Sequence, residues 1–479
     1  MSVRALFPAK IIAKTFFLRY PIIRVIKLAN CRNQKYHLEI FGCQMNAHDA
    51  EKTAGILEKM GYAKAATAEE ADVILLITCC VRENAENRLY GHLGNLKPLK
   101  QKNPELIIGV GGCMAQLPSV REKIEAHHPH IDLLFGAFNL HQLPELIMKI
   151  RETGSRILEV PGEGEIKEDL PVTRESSFRA WVTVIYGCNN FCTYCIVPYV
   201  RGREKSRRPE KILAEVRGLA AEGIKEVTLL GQNVNSYGLD FPAAERTDFA
   251  DLLGLLNQVD GITRIRFQTS HPKDLSDKLI RQMAEADKVC EHLHLPLQAG
   301  SDKILRMMNR KYTRDDYLRL VDKLRSHIPD LALTTDLIVG FPGEEEADFQ
   351  DTLDLVERVG FDAAFTFAYS PRVGTQAAKM DNQVPEEEKM DRLYRLIEVV
   401  NKQAKAANQR LEGKIESVLV EGPSPKKKEI FTGRTRSNKL VLFAPPSSGP
   451  ELIGTEIKVK IKKGLTYTLQ GEVIEREVF

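Results

Sequence analysis

Short apolar runs recur along this chain, each followed by a helix-forming stretch, and that alternation confines it to α/β architectures. Tyr36-His37-Leu38-Glu39-Ile40-Phe41, Asp72-Val73-Ile74-Leu75-Leu76-Ile77 and Leu106-Ile107-Ile108-Gly109-Val110 are the first three, with helical stretches at 46–60, about 82–97 and 141–151. Apolar strands that alternate with helices predict a parallel sheet covered on both faces. Cys43, Cys79 and Cys113 stand just behind the three runs. Open α/β sheets bind ligands beyond the carboxyl ends of their strands. Three thiols 36 and 34 residues apart in sequence are therefore brought to one sheet edge, and a metal site is expected there. The alternative is three unrelated buried cysteines.

Residues 152–178, mixed in charge and containing Pro161-Gly162-Glu163-Gly164-Glu165, suit a linker. A second series of strand candidates follows at 181–186, 226–231, 263–268, 292–297, 332–340 and 362–368. Six strand–helix units predict a partial, open version of the eight-unit barrel. Immediately after the first of them comes Tyr186-Gly187-Cys188-Asn189-Asn190-Phe191-Cys192-Thr193-Tyr194-Cys195. Its CxxxCxxC spacing supplies three thiolates, one fewer than a closed structural zinc or iron–sulfur site uses. A cluster held this way keeps one iron open to a ligand that is not protein.

After a charged helix at about 385–411, the segments 418–420, 439–443, 456–461 and 469–473 read as the strands of a small antiparallel barrel. From residue 410 onward there are 13 Lys and Arg against 9 Asp and Glu, with Lys426-Lys427-Lys428 and Arg434-Thr435-Arg436-Ser437-Asn438-Lys439 clustered. Small basic barrels commonly bind RNA backbone. A solvated charged face is the plainer reading of the same residues.

Composition sets bounds on the rest. Nine cysteines in 479 residues are too few for a secreted disulfide scaffold and, grouped in triplets, suit metal binding in a reducing compartment. No stretch reaches the roughly 20 apolar residues of a membrane-spanning helix. A net charge of +3 leaves nucleic-acid affinity to local patches. Residues 1–35 carry eight basic residues and no acidic one. Organelle transit peptides share that composition with dispensable extensions and with sequence ahead of a true start codon. A cytoplasmic protein is expected, with organelle import through 1–35 as the alternative.

From residue 36 to 479 the motifs resemble those of the methylthiotransferases of the radical S-adenosylmethionine superfamily, in particular the MiaB-type branch. The motifs are Phe41-Gly42-Cys43-Gln44-Met45-Asn46, Thr78-Cys79-Cys80-Val81-Arg82-Glu83, Gly111-Gly112-Cys113-Met114-Ala115-Gln116, the CxxxCxxC loop with Ile196 to Glu204, and Tyr369 to Thr375. Gly433 to Lys439 resembles the TRAM domain, an RNA-binding barrel. The domains implied are a basic extension (1–35), a methylthiotransferase N-terminal domain (36–151), a linker (152–178), a radical core (179–410) and a TRAM domain (411–479). Two sequence departures stand out: Ile77 replaces a usual asparagine, and Cys80 a usual small residue.

The resemblance implies two 4Fe-4S clusters and S-adenosylmethionine. Cys188, Cys192 and Cys195 would hold the radical-generating cluster, and Cys43, Cys79 and Cys113 a second one carrying the sulfur to be inserted. Tyr194, Gly231, Gln232, Asn233, Ser270, Gln298, Asp336 and Gly340 are candidates to contact S-adenosylmethionine. Arg201 and Arg203, with Arg207 and Arg208 beside them, and Lys426, Lys427, Lys428, Arg434, Arg436 and Lys439 are candidates to contact RNA. The first motif points to the branch that methylthiolates isopentenylated adenosine at position 37, beside the tRNA anticodon. The branches acting on threonylcarbamoyl adenosine or on an aspartate of a ribosomal protein are the alternatives, and a non-catalytic iron–sulfur RNA-binding protein is the rival of another class. A tRNA partner, a flavodoxin- or ferredoxin-like electron donor, and a monomer or weak dimer away from membranes are expected.

Overall fold

The computed structural model describes residues 33–476 apart from 80–82, 163, 165 and 446–449. Residues 1–32 and Cys80 lie outside the described residues. The first sheet consists of β1 (Lys35–Ile40), β2 (Ala63–Lys64), β3 (Val73–Thr78), β4 (Ile107–Gly112) and β5 (Leu133–Phe135), all parallel in the order β2-β1-β3-β4-β5. Every residue of the central β3 is buried. Successive side chains of a strand point to opposite faces, so β3 serves two cores. Ile74 and Leu76 pack with Leu89, Leu93, Val120 and Ile124 from helices Glu83–Lys102 and Pro118–His127. Val73, Leu75 and Ile77 pack with Ile56, Leu57, Leu143 and Ile147 from helices Gln44–Lys59 and Leu143–Thr153. Helix Pro118–His127 and strands β2 and β5 go beyond the sequence reading. That helix buries only Val120 and Ile124, too few apolar positions to show a period.

The segment read as a linker is a strap laid on this domain. Ile157 bridges to Leu133 of β5, Leu158 and Val160 join one core and Leu170 the other, and the Thr173 amide donates to the Glu51 carbonyl.

The central part contains six parallel strands: β6 (Arg179–Thr183), β9 (Glu226–Leu230), β10 (Arg264–Gln268), β11 (His292–His294), β12 (Ala332–Val339) and β13 (Ala363–Ala368), with the short pair β7 (Ile185–Tyr186) and β8 (Lys205–Ser206) beyond β6. They form two three-stranded halves, β6-β9-β10 and β11-β12-β13, joined by a bridge from Ile265 to Val289. This is the expected open barrel. Its first strand is interrupted at Val184, after which Ile185 and Tyr186 turn to pair antiparallel with β8.

The last part is a closed five-stranded barrel of β14 (Ile415–Pro423), β15 (Phe431–Thr435), β16 (Leu440–Phe443), β17 (Glu456–Gly464) and β18 (Leu469–Arg476). Four seams are antiparallel, but β16 and β18 run parallel. β15 is the strand missing from the sequence reading. It contains Gly433-Arg434-Thr435, whose charge masks the alternation of Phe431, Gly433 and Thr435 toward the interior.

Candidate metal centres

Each N-terminal cysteine stands where a parallel strand ends. Cys79 follows β3 directly, Cys113 follows β4, and Cys43 is the N-cap of helix Gln44–Lys59. Gly42 makes the approach tight: a Cβ there would lie 2.4 Å from the Cys79 Cβ. The Cys43 thiol is lowered to about 5, first by a hydrogen bond with Cys79, then by the Arg201 charge and the helix-end amides of Asn46 and Met45, against the opposing effect of burial. The side-chain amide beside this triplet is that of Asn46. Its Nδ2 donates to the Phe41 carbonyl, and its Oδ1 lies 3.9 Å from the Cys113 Sγ. Ile77 lies in the apolar core of this domain.

Arg201 does not face solvent. It is buried, its Nε 3.0 Å from the Cys113 Sγ, with a terminal nitrogen 2.7 Å from the Asp49 Oδ2 and 3.2 Å from the Asn46 Oδ1. The expectation of a phosphate contact is corrected here. Ile196 and Val200, flanking the short helix Val197–Val200, are packed into the core of the first domain and draw Arg201 in with them.

The second triplet occupies the loop beyond the first barrel strand. The segment Met307–Arg310 clamps it. Thr193 donates its amide to the Met308 carbonyl and its hydroxyl to the Met307 carbonyl, and the Asn309 Nδ2 donates to the carbonyls of Asn190 and Phe191. Arg310 is buried, donates to the Cys192 Sγ at 3.4 Å, to the Tyr312 hydroxyl and to the Pro296 carbonyl, and has no carboxylate partner among the described residues. Burial raises Cys188 to about 11 and, together with Cys192, Cys195 to about 12. A buried guanidinium costs several kcal/mol unless an anion meets it. The sulfur that Arg310 meets among the described residues is that of Cys192 of the triplet, and that arrangement fits an anionic thiolate-bound cluster. Among the described residues no three His, Cys, Asp or Glu side chains surround a single ion-sized point. A four-iron cluster, by contrast, takes its thiolates on separate irons.

Three family models match: the Radical SAM superfamily over residues 182–356, Uncharacterized protein family UPF0004 over 35–136, and the TRAM domain over 409–474. The chain is 54% identical to the tRNA-2-methylthio-N(6)-dimethylallyladenosine synthase of Acetivibrio thermocellus, covering 92% of each chain. It is 55% identical to the enzyme of that name from Thermoanaerobacter sp. (strain X514), covering 93% of each. The chain belongs to the radical S-adenosylmethionine methylthiotransferase family. Among solved structures, its fold is similar to that of the radical S-adenosylmethionine methyltransferase TsrM from Kitasatospora setae, with a TM-score of 0.52, 15% identity, and 72% of this chain and 77% of that one covered. As a radical S-adenosylmethionine enzyme it uses a 4Fe-4S cluster and S-adenosylmethionine.

In this methylthiotransferase, several barrel residues beyond the strand ends await a polar partner. Asn233 and Ser270 are buried, and the Asn233 Oδ1 and the Ser270 Oγ have none among the described residues; the Asn233 Nδ2 donates to Asp274. Asn235 and the hydroxyl of Tyr369, the first residue of the Tyr369 to Thr375 motif, share that state among the described residues, and Asn235 is not among the sequence candidates. Unpaired buried polar groups are costly, and such a set fits a polar ligand. Gly231 follows β9 against Ile185, Gln232 beside it is half-buried, and Tyr194 lies among Cys192, Arg310 and Cys195. Gln298 is buried at φ +74° and bridges to Leu337. Asp336, a candidate to contact S-adenosylmethionine, lies within β12, its Oδ2 3.4 Å from the His294 Nε2. Gly340 makes room for Lys389 of helix Glu386–Gln409, since a Cβ there would come within 2.3 Å of the Lys389 Cγ.

The basic residues divide sharply. Arg203 is exposed and lies 4.4 Å over the Phe191 ring, which meets the half-exposed Tyr199 edge-on. Arg207 is buried against Glu168 and Glu215, and Arg208 pairs with Glu245. Lys426, Lys427 and Lys428 are exposed in the β14–β15 turn. Arg436 and Lys439 are turned onto the radical core, correcting the RNA expectation for these two, while Arg434 stays partly exposed. Arg436 forks onto Glu291, Lys439 meets Asp362, and Arg434 meets Glu421. Reciprocally, Arg264 reaches Glu456 and the carbonyls of Arg434 and Ser417, while Arg266 reaches the carbonyls of Thr435 and Arg436. Arg264 opens β10, Glu291 precedes β11 and Asp362 precedes β13. The small barrel is thus stapled to the amino ends of the radical core's strands.

Proposed function

We propose that this methylthiotransferase is a tRNA-2-methylthio-N(6)-dimethylallyladenosine synthase, replacing an adenine C–H of isopentenyladenosine 37 by a methylthio group. The observation that carries the reading is the pairing of two strand-end thiol triplets, one in each of two docked domains, in a chain over half identical to curated enzymes of that name. An unactivated C–H has no useful acidity, so base catalysis cannot remove its hydrogen. Cys188, Cys192 and Cys195 would hold a 4Fe-4S cluster, whose chemistry when reduced would be one-electron cleavage of S-adenosylmethionine to methionine and a deoxyadenosyl radical able to take this hydrogen.

The chain's own residues do the rest. Arg310 orients Cys192, and Asn233, Ser270, Gln298 and Tyr194 would hold the nucleoside and methionine parts of S-adenosylmethionine. Cys43, Cys79 and Cys113 would hold a second cluster that presents the sulfur. Arg203, with Phe191 and Tyr199, offers a guanidinium and two rings to an unstacked anticodon-loop base, and Lys426 to Lys428 meet the phosphate backbone. No helix among the described residues is long and apolar enough to cross a membrane. A cytoplasmic monomer or weak dimer drawing electrons from a flavodoxin- or ferredoxin-like donor is the setting this reading requires. The test is nucleoside analysis of tRNA from a strain lacking the gene. 2-Methylthio-isopentenyladenosine is expected to vanish while isopentenyladenosine accumulates, and an unchanged level of the methylthiolated nucleoside would overturn the reading.

A further inference from the structure

Arg201 belongs by sequence to the radical core, six residues after Cys195, yet its Nε and one terminal nitrogen are directed at the neighbouring domain. Its side chain is 3% exposed. Asp49 and Asn46, which take its terminal nitrogen, lie on the helix that Cys43 caps. An arginine that served only to pair with Asp49 would need no sulfur. Here the Nε is directed at the Cys113 Sγ instead, at 3.0 Å. The anchor is rigid, because Ile196 and Val200 are buried among Val110, Met114 and Ala115 of the other domain. N–H groups donated to a cluster's sulfur ligands, and charge placed beside them, set its reduction potential and orient the ligand.

We infer that Arg201 is a positioning residue of the N-terminal centre: a cation supplied by the radical core that orients Cys113 and raises the reduction potential of the cluster held there. The centre is then complete only when the two domains are docked. This rests on the reading that Cys43, Cys79 and Cys113 hold an iron–sulfur cluster.

The experiment uses the full chain carrying Cys188→Ala, Cys192→Ala and Cys195→Ala, reconstituted with iron and sulfide, so that only the N-terminal triplet can be loaded. If that protein takes up no iron, the cluster reading fails, whatever Arg201 does. If it does, the midpoint potential is measured spectroscopically in the same background with Arg201→Gln, Arg201→Lys and Asp49→Asn. Removing the cation is expected to make the cluster harder to reduce, and removing the opposing carboxylate to make it easier. Arg201→Lys, which keeps the charge but not the Nε–H directed at sulfur, should fall between wild type and Arg201→Gln. Shifts of opposite sign for Arg201→Gln and Asp49→Asn are the electrostatic signature, because mere loosening of the site would move both the same way. Potentials unchanged, or displaced in one direction by both, would overturn the assignment. Should Arg201→Gln fail to load, the signs for Arg201→Lys and Asp49→Asn decide by the same criterion.

Discussion

His48 and Glu51 lie a helical turn apart beside the Cys43 N-cap, with the His48 Nδ1 3.2 Å from the Glu51 Oε2. Burial lifts Glu51 to about 7, and burial with the charges of Lys52 and Arg207 holds His48 well below the usual imidazole range. Both groups therefore favour their neutral forms, and the contact is a hydrogen bond rather than an ion pair. Between 4.5 and about 7 the folded chain keeps the Glu51 proton that the unfolded chain has released, so this group's contribution to stability falls as pH rises through that window. His48 acts oppositely, since the unfolded imidazole gains a proton below its ordinary pKa of about 6.5 and stability falls as pH drops there. Glu51→Gln removes only the first effect. It should raise the thermal midpoint above pH 7 by about 2–4 °C and give no gain below 4.5. Scanning calorimetry at both pH values checks this, and an equal change at both would refute it.

At the level of elements, the strap over 155–178 was the least legible part of the chain. Its charged, Pro- and Gly-containing composition reads as a free linker, and nothing local reveals that Ile157, Leu158, Val160 and Leu170 each have a place on the first domain. Gly55 shows how closely it lies: a Cβ there would come 2.5 Å from the Pro171 backbone. Gly55→Val should lift the strap, cost about 1–3 kcal/mol through overpacking, and open residues 166–175 to limited proteolysis, whereas an unchanged digestion pattern would refute this. By contrast, the positions of the six cysteines were legible, because continuous apolar strands and strand-end placement are properties of local sequence. Arg201 and Arg203 show where local reading stops. They are two residues apart in one basic run, yet one is buried on Cys113 and the other lies open over Phe191. What separates them is the anchoring of Ile196 and Val200 in another domain, a tertiary fact that charge patterning does not carry. The same holds for Arg436 and Lys439, whose carboxylate partners Glu291 and Asp362 lie far away in sequence.

For the molecule as a whole, the staples place the small barrel at the amino ends of the core strands, while the CxxxCxxC loop lies beyond a carboxyl end. RNA held by both therefore has its affinity and its chemistry supplied at separate places. Replacing Lys426, Lys427 and Lys428 with alanine should raise KM for tRNA with little change in kcat. It should also flatten the log–log salt dependence of binding by about 2–3 if each lysine meets one phosphate. Filter binding across salt concentrations, with steady-state methylthiolation, checks both; a fall in kcat alone would mean that the turn acts on the reacting base.

The staples also set a timetable for synthesis. Arg264 is fully buried and meets Glu456, 192 residues later in the chain. At ribosomal speeds of about 5–20 residues per second, the interval between the two is about 10–40 s. Once the last core strand has emerged, the underside of the radical core presents Arg264 without its Glu456 partner, whereas Arg266 already has Glu226 of β9. β18 must then emerge before the small barrel can close, because it pairs with both β16 and β17. The small barrel that carries Glu456 therefore closes only after β18 has been made.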